Sequence, residues 1–158
     1  MPDIGTVLMV DDDREITRAA CLRLRAAGYN TLQAADGESG VASAVANRPD
    51  LILLDVRMPG KDGLATLSDL KHRSDTCSIP VVMVSASVID QEAALNAGAR
   101  FFIRKPYSGA TLMQAVRAAI GNHAACGTVG GGDARATAGD GLPSQPIDSP
   151  YQLLRAVL

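Results

Sequence analysis

The stretch LILLDVRMPGKDG, residues 51–63, sets four aliphatic side chains in a row, ends them on Asp55, and leaves through Arg57, Met58, Pro59 and two glycines. A run in which every residue is apolar, rather than every second one, is what a strand buried on both faces requires. Comparable runs are Val7 to Val10, Val81 to Val84 and Phe101 to Ile103. In the weaker run Thr31 to Ala34, the polar Thr31 and Gln33 alternate with Leu32 and Ala34. Between the runs, apolar residues recur at helical spacing. Ile16, Ala20, Leu24 and Ala27 stop at Gly28; Ser39 to Asn47 is rich in alanine and ends before Pro49; Leu64, Leu67 and Leu70-Lys71 follow. A short segment from Gln91 to Ala97 closes at Gly98, and Leu112, Val116, Ala119 and Ile120 line a face that ends at Gly121. Strand and helix alternating five times predict an α/β fold, a doubly wound five-stranded parallel sheet with helices on both faces. Strands one, three and four read as central and strand two as an edge.

With 158 residues, 47% of them hydrophobic, the chain has material for one ordinary domain and a short appendage. The formal charge is −2 and no basic block exceeds two residues, a pattern that recommends neither a nucleic-acid nor a membrane partner. The N-terminus lacks a basic segment ahead of an apolar core, and no apolar run nears the roughly 18 residues of a membrane span. A cytoplasmic protein is the expectation. Cys21, Cys77 and Cys126 are far apart and form no Cys-x-x-Cys pair, so they read as reduced, mostly structural thiols. His72 and His123 stand without neighbouring ligands and read as surface residues. Residues 1–122 form the expected domain. Residues 123–148 are rich in Gly, Pro, Ser and Asp and are expected to be a flexible linker. Residues 149–158 regain helical character, with Ser149 able to cap and Pro150 suited to the first turn.

In open parallel sheets, ligands bind beyond the carboxyl ends of the strands. Here those ends carry Asp11-Asp12-Asp13, Asp55, Ser85 and Arg104-Lys105-Pro106. One polar strand end is ordinarily just solvated, but the set has an electrostatic consequence. Two carboxylates about 4 Å apart repel by roughly 4 kcal/mol at an effective dielectric near 20. Lys105 supplies one positive charge, and a hard divalent ion taking oxygens from Asp12 and Asp55 would neutralise the remainder. Mg²⁺ fits better than Ca²⁺, because no twelve-residue calcium loop is visible. A carboxylate, Mg²⁺, a lysine and a hydroxyl suit phosphoryl transfer onto Asp55 itself, with Ser85 bonding one phosphoryl oxygen.

Four motifs, VLMVDDD, DVRMPGKDG (Asp-x-x-Met-Pro-x-x-x-Gly), VMVSA and RKP, stand in the order and spacing of the receiver domain of two-component response regulators, which the sequence resembles over residues 4–121. The resemblance implies a flavodoxin-like strand order 2-1-3-4-5. It implies that Asp55 accepts a phosphoryl group from a histidine kinase or histidine phosphotransfer protein. It further implies that Asp12 binds Mg²⁺ directly, Asp11 through water, and Asp55 and the backbone carbonyl of Arg57 complete the protein ligands. Ser85 matches the switch hydroxyl, Phe102 the aromatic that follows it inward, and Lys105 the phosphoryl-binding lysine, with a cis bond to Pro106. Asp13, with no such part, is expected to cap helix one or to face solvent. Arg57 and Ser87 match positions that tune phosphoryl lifetime. The output face would be helix four, strand five and helix five, signalling to an unknown downstream protein, and Arg100 speaks against the dimer some subfamilies form there.

The leading expectation is thus a stand-alone receiver, not an enzyme apart from its own phosphorylation and dephosphorylation chemistry. The alternative is the N-terminal receiver of a longer regulator with a further output domain. A third reading, an aspartate-nucleophile phosphohydrolase, needs a second Asp two residues after the nucleophile, where Arg57 stands.

Overall fold

The computed structural model describes residues 4–121. Five strands and five helices alternate: β1 Thr6–Val10, α1 Arg14–Ala26, β2 Asn30–Ala34, α2 Gly37–Asn47, β3 Leu51–Asp55, α3 Gly63–His72, β4 Val81–Ser85, α4 Asp90–Asn96, β5 Phe101–Arg104 and α5 Gly109–Gly121. All pairings are parallel and the order is β2-β1-β3-β4-β5, with β2 at one edge as its alternating pattern predicts.

The continuous aliphatic runs are explained by two cores that share the same strands. Leu8, Val10, Ile52, Leu54, Val81 and Met83 pack with Ala44 of α2, Leu67 and Leu70 of α3 and Ala94 of α4. Their neighbours Val7, Met9, Leu51, Leu53, Val82 and Val84 pack with Ala20, Cys21 and Leu24 of α1 and with Leu112, Val116 and Ala119 of α5. Successive side chains of a strand point to opposite faces, so each apolar pair serves both layers.

The helices start where polar side chains satisfy their first amides. Asp13 accepts from Glu15 N–H at 2.9 Å and Ile16 N–H at 3.2 Å; it is the N-cap of α1 and also exposed to solvent, so both roles read from the sequence apply. Replacing it with Ala should cost about 1 kcal/mol, measurable as a lowered urea midpoint with an unchanged slope. Asp36 accepts from Ser39 N–H at 2.7 Å, which begins α2 at Gly37, two residues before the Ser39 start read from composition. Strands β3, β4 and β5 each run one residue past their aliphatic stretch, because the ladder continues to pair Asp55 with Val84 and Ser85 with Arg104. Likewise α4 begins at Asp90, not Gln91, and ends at Asn96.

Cys21 is buried, whereas Cys77 is exposed and so is not a core thiol. His72 is at the surface. Among the described residues, no helix is long and apolar enough to cross a membrane. The linker and terminal helix read for residues 123–158, with Cys126 and His123, lie outside the described residues.

Candidate acidic site at the carboxyl edge of the sheet

The carboxyl ends of β1, β3 and β5 converge on one cluster. Carboxylate oxygens of Asp11, Asp12 and Asp55 lie within 4.8 Å of one another. Lys105 Nζ donates to Asp11 Oδ2 at 2.8 Å and stands 3.2 Å from Asp55 Oδ1. Asp11 and Asp55 are buried, at 3% and 5% exposure, while Asp12 is open to solvent.

The local fold fixes each member. Asp55 is the last residue of a fully buried strand. The Asp11 N–H donates to Ala34 O at 3.2 Å and its carboxylate accepts from Asp13 N–H at 2.9 Å. Lys105 N–H donates to Ser85 O at 2.8 Å, which carries it just past β5, and its bond to Pro106 is cis. Asp11, Asp55 and Lys105 each stand two residues beyond a member of the α1–α5 core or a residue packed on it, namely Met9, Leu53 and Ile103. They extend the same rows of side chains.

Burial raises the pKa of Asp55, the Asp11 charge raises it further, and the charge and hydrogen bond of Lys105 oppose both. Burial works against the charge of Lys105 as well, but the hydrogen bond and charge of Asp11, followed by Asp55, outweigh it and raise that pKa. Three carboxylates facing one ammonium leave a surplus of negative charge, and every side-chain donor in the cluster other than Lys105 is a hard oxygen. That donor set fits Mg²⁺.

Ser85 is fully buried at the end of β4, but its hydroxyl does not face the acidic cluster. It donates to Asp90 Oδ2 at 2.8 Å and accepts from Ser87 N–H at 3.1 Å. By alternation it belongs with Val81 and Met83, on the α2–α4 side of the sheet. The Arg57 side chain turns the same way, with Nε and Nη2 each 3.1 Å from an oxygen of Asp90. Phe102 is half-buried, pairs with Met83 and packs against the α2–α4 core, beside a groove of about 580 Å³ between α4, β5 and α5. Asp90 is the member of this group that motif reading passes over. Its only sequence signal is an acid at a helix start five residues after Ser85.

A sheet of this order with acids and a lysine at its carboxyl edge defines a flavodoxin-like α/β module with an acidic rim site, and the comparisons give its family. The family model for the response regulator receiver domain matches residues 7–117, and the chain belongs to that family. It is 39% identical over 141 residues to transcriptional regulatory protein CseB of Streptomyces coelicolor, covering 88% of this chain and 58% of that protein. To transcriptional regulatory protein PrrA of Mycobacterium tuberculosis it is 36% identical over 114 residues, covering 72% and 49%. Among solved structures, the chemotaxis protein CheY4 of Vibrio cholerae superposes with a TM-score of 0.69 at 29% identity, covering 73% of this chain and 98% of that one. A CheY-like receiver domain from Methanospirillum hungatei gives 0.74 at 25% identity, covering 79% and 100%. The chain spans about half the length of the curated relatives it matches.

Proposed function

We propose that the protein receives a phosphoryl group on Asp55 from a histidine kinase or histidine phosphotransfer protein in the cytoplasm and signals by changing which protein it contacts. The observation that carries this reading is Lys105 held between Asp11 and Asp55, beside the open carboxylate of Asp12. An oxygen of Asp55 attacks phosphorus, the bond to the donor's leaving atom breaks, and the carboxylate becomes an acyl phosphate. Lys105 follows the charge from the carboxylate to the phosphoryl oxygens. Ser85, once its hydroxyl is free, donates to one of those oxygens, and Phe102 takes up the space it leaves. Mg²⁺, held by Asp12, Asp55 and the carbonyl of Arg57, with Asp11 acting through water, would supply the positive charge that lets two anions meet. Such chemistry acts on the protein itself and not on a released substrate, so the proposed role is a signalling switch and not an enzyme.

Incubation with Mg²⁺ and acetyl phosphate, followed by intact mass measurement, should add one phosphoryl mass to the wild type and none to Asp55→Asn. Equal labelling of the two would move the acceptor elsewhere. Removing Mg²⁺ with a chelator should abolish labelling of the wild type.

A second reading is favoured by relative length. Relatives named as transcriptional regulators are about twice as long as the match, so the chain is alternatively the receiver of a longer regulator whose output lies in another domain. In that case a nucleic-acid partner, which the charge of these 158 residues does not recommend, would belong to the added domain. Sequencing the transcript across this region separates the two readings.

A further inference from the structure

A hydroxyl has one proton to donate, and Ser85 spends its proton on Asp90. The acceptor is a carboxylate at 2.8 Å, in a buried setting, and such charge-assisted bonds are the stronger kind. Asp90 is itself held. The Arg57 guanidinium meets both of its oxygens at 3.1 Å, tying the residue two places after Asp55 to the first residue of α4. The Asp90 side chain is only 10% exposed although it heads a surface helix, while that of Arg57 is 68% exposed. Neither side chain has a part in the transfer of the phosphoryl group to Asp55 described above, although the resemblance ties the position of Arg57 to phosphoryl lifetime.

We propose that Asp90 is a positioning residue that holds the Ser85 hydroxyl away from Asp55, with Arg57 aiming the Asp90 carboxylate, and thereby biases the protein against its phosphoryl-bound arrangement. The inference rests on the reading of Asp55 as acceptor and Ser85 as the hydroxyl that closes on it. Binding of a phosphoryl group must break the Ser85–Asp90 bond, so apparent affinity falls by the fraction of molecules in which that bond is made. Asp90 also carries a negative charge near the site, which alone would disfavour an anion. The two effects separate in a double-mutant cycle, because only the first requires the hydroxyl.

The probe is beryllofluoride with Mg²⁺, a stable phosphoryl analogue, titrated while the backbone amides of Ser85 and Phe102 are followed by NMR. Asp90→Ala should lower the half-saturating concentration about tenfold, and the isosteric Asp90→Asn, which keeps a neutral acceptor, about threefold. In the Ser85→Ala background, Asp90→Ala should change it less than twofold. An equal change in both backgrounds assigns the effect to charge alone and overturns the proposal. So does no change in the Ser85 background. If Asp90→Ala unfolds, judged by far-UV circular dichroism, Asp90→Asn carries the same comparison. Should the wild type and Asp55→Asn respond alike to the analogue, the Asp55 assignment fails and takes this inference with it, an outcome distinct from the other two.

Discussion

Gly63→Ala should lower the melting temperature by roughly 10 °C or more, from a loss of about 3 kcal/mol in a domain of this size. A Cβ at this position would collide with the carbonyl oxygen of Asp55 and stand 2.7 Å from Cα of Val56. Both are backbone atoms of the chain leaving β3, and neither can rotate aside. The Gly63 N–H also donates to Val56 O at 2.9 Å, so the start of α3 cannot retreat without losing that bond. Gly60 provides the contrast. Its φ is +76° and a Cβ there meets nothing within 4 Å, so Gly60→Ala involves backbone strain alone, about 1 kcal/mol. Thermal unfolding followed by circular dichroism compares them, and a Gly63→Ala protein that melts with the wild type would refute the close-approach argument.

The second large effect is Lys105→Ala, which leaves Asp11 and Asp55 buried without their cation. Removing one partner of a buried ion pair costs about 3 kcal/mol, and here the remaining carboxylates also face each other. The loss should depend on pH in a defined direction. In the wild type, Asp55 is raised above its ordinary value of 3.8 by burial and by Asp11, against the pull of Lys105. A carboxylate whose pKa is raised by folding penalises the fold above its folded pKa, and the penalty fades as the pH falls toward the ordinary value. Without Lys105 the opposing pull is gone, so the penalty is larger and begins to fade at higher pH. Lys105 has its own pKa raised above 10.5, so its stabilising charge is fully present at neutral pH and is lost only as pH rises through the folded value. In metal-free urea titrations the deficit of Lys105→Ala should therefore be largest near pH 8 and narrow toward pH 5. In an Asp55→Asn background it should shrink at every pH. A deficit that is flat with pH would mean the loss comes from packing of the lysine stem.

Much of this was open to reading in the sequence, for reasons that differ by element. Leu51 to Leu54 read as a strand with two buried faces because the run is apolar at every position, too short for a buried helix, and bounded by Pro49 and by Pro59-Gly60. Thr31 and Gln33 marked β2 as an edge by the opposite logic. Asp11, Asp12, Asp55 and Lys105 could be gathered because a parallel sheet delivers every strand's carboxyl end to one rim, whatever the separation along the chain. The direction of the Ser85 hydroxyl could not be gathered that way. It depends on a competition between acceptors, and the winner, Asp90, is an ordinary-looking acid at the start of a seven-residue helix. The same holds for Arg57. Its place two residues after Asp55 was plain, but a flexible side chain finds its partner only in three dimensions.

The two cores divide the chemistry by side. Asp11, Asp55 and Lys105 prolong rows that face α1 and α5, whereas Ser85 and Phe102 belong to rows that face α2, α3 and α4. In β1, β3 and β4 the sheet between them is a partition filled mostly with buried aliphatic side chains, and the buried polar ones, Asp55 and Ser85, come last in their strands. The charged group on one side and the hydroxyl on the other therefore lie closest along the carboxyl rim, where Asp55 and Ser85 end neighbouring strands. The aliphatic interior can then keep its packing while the side chains at the edge exchange partners.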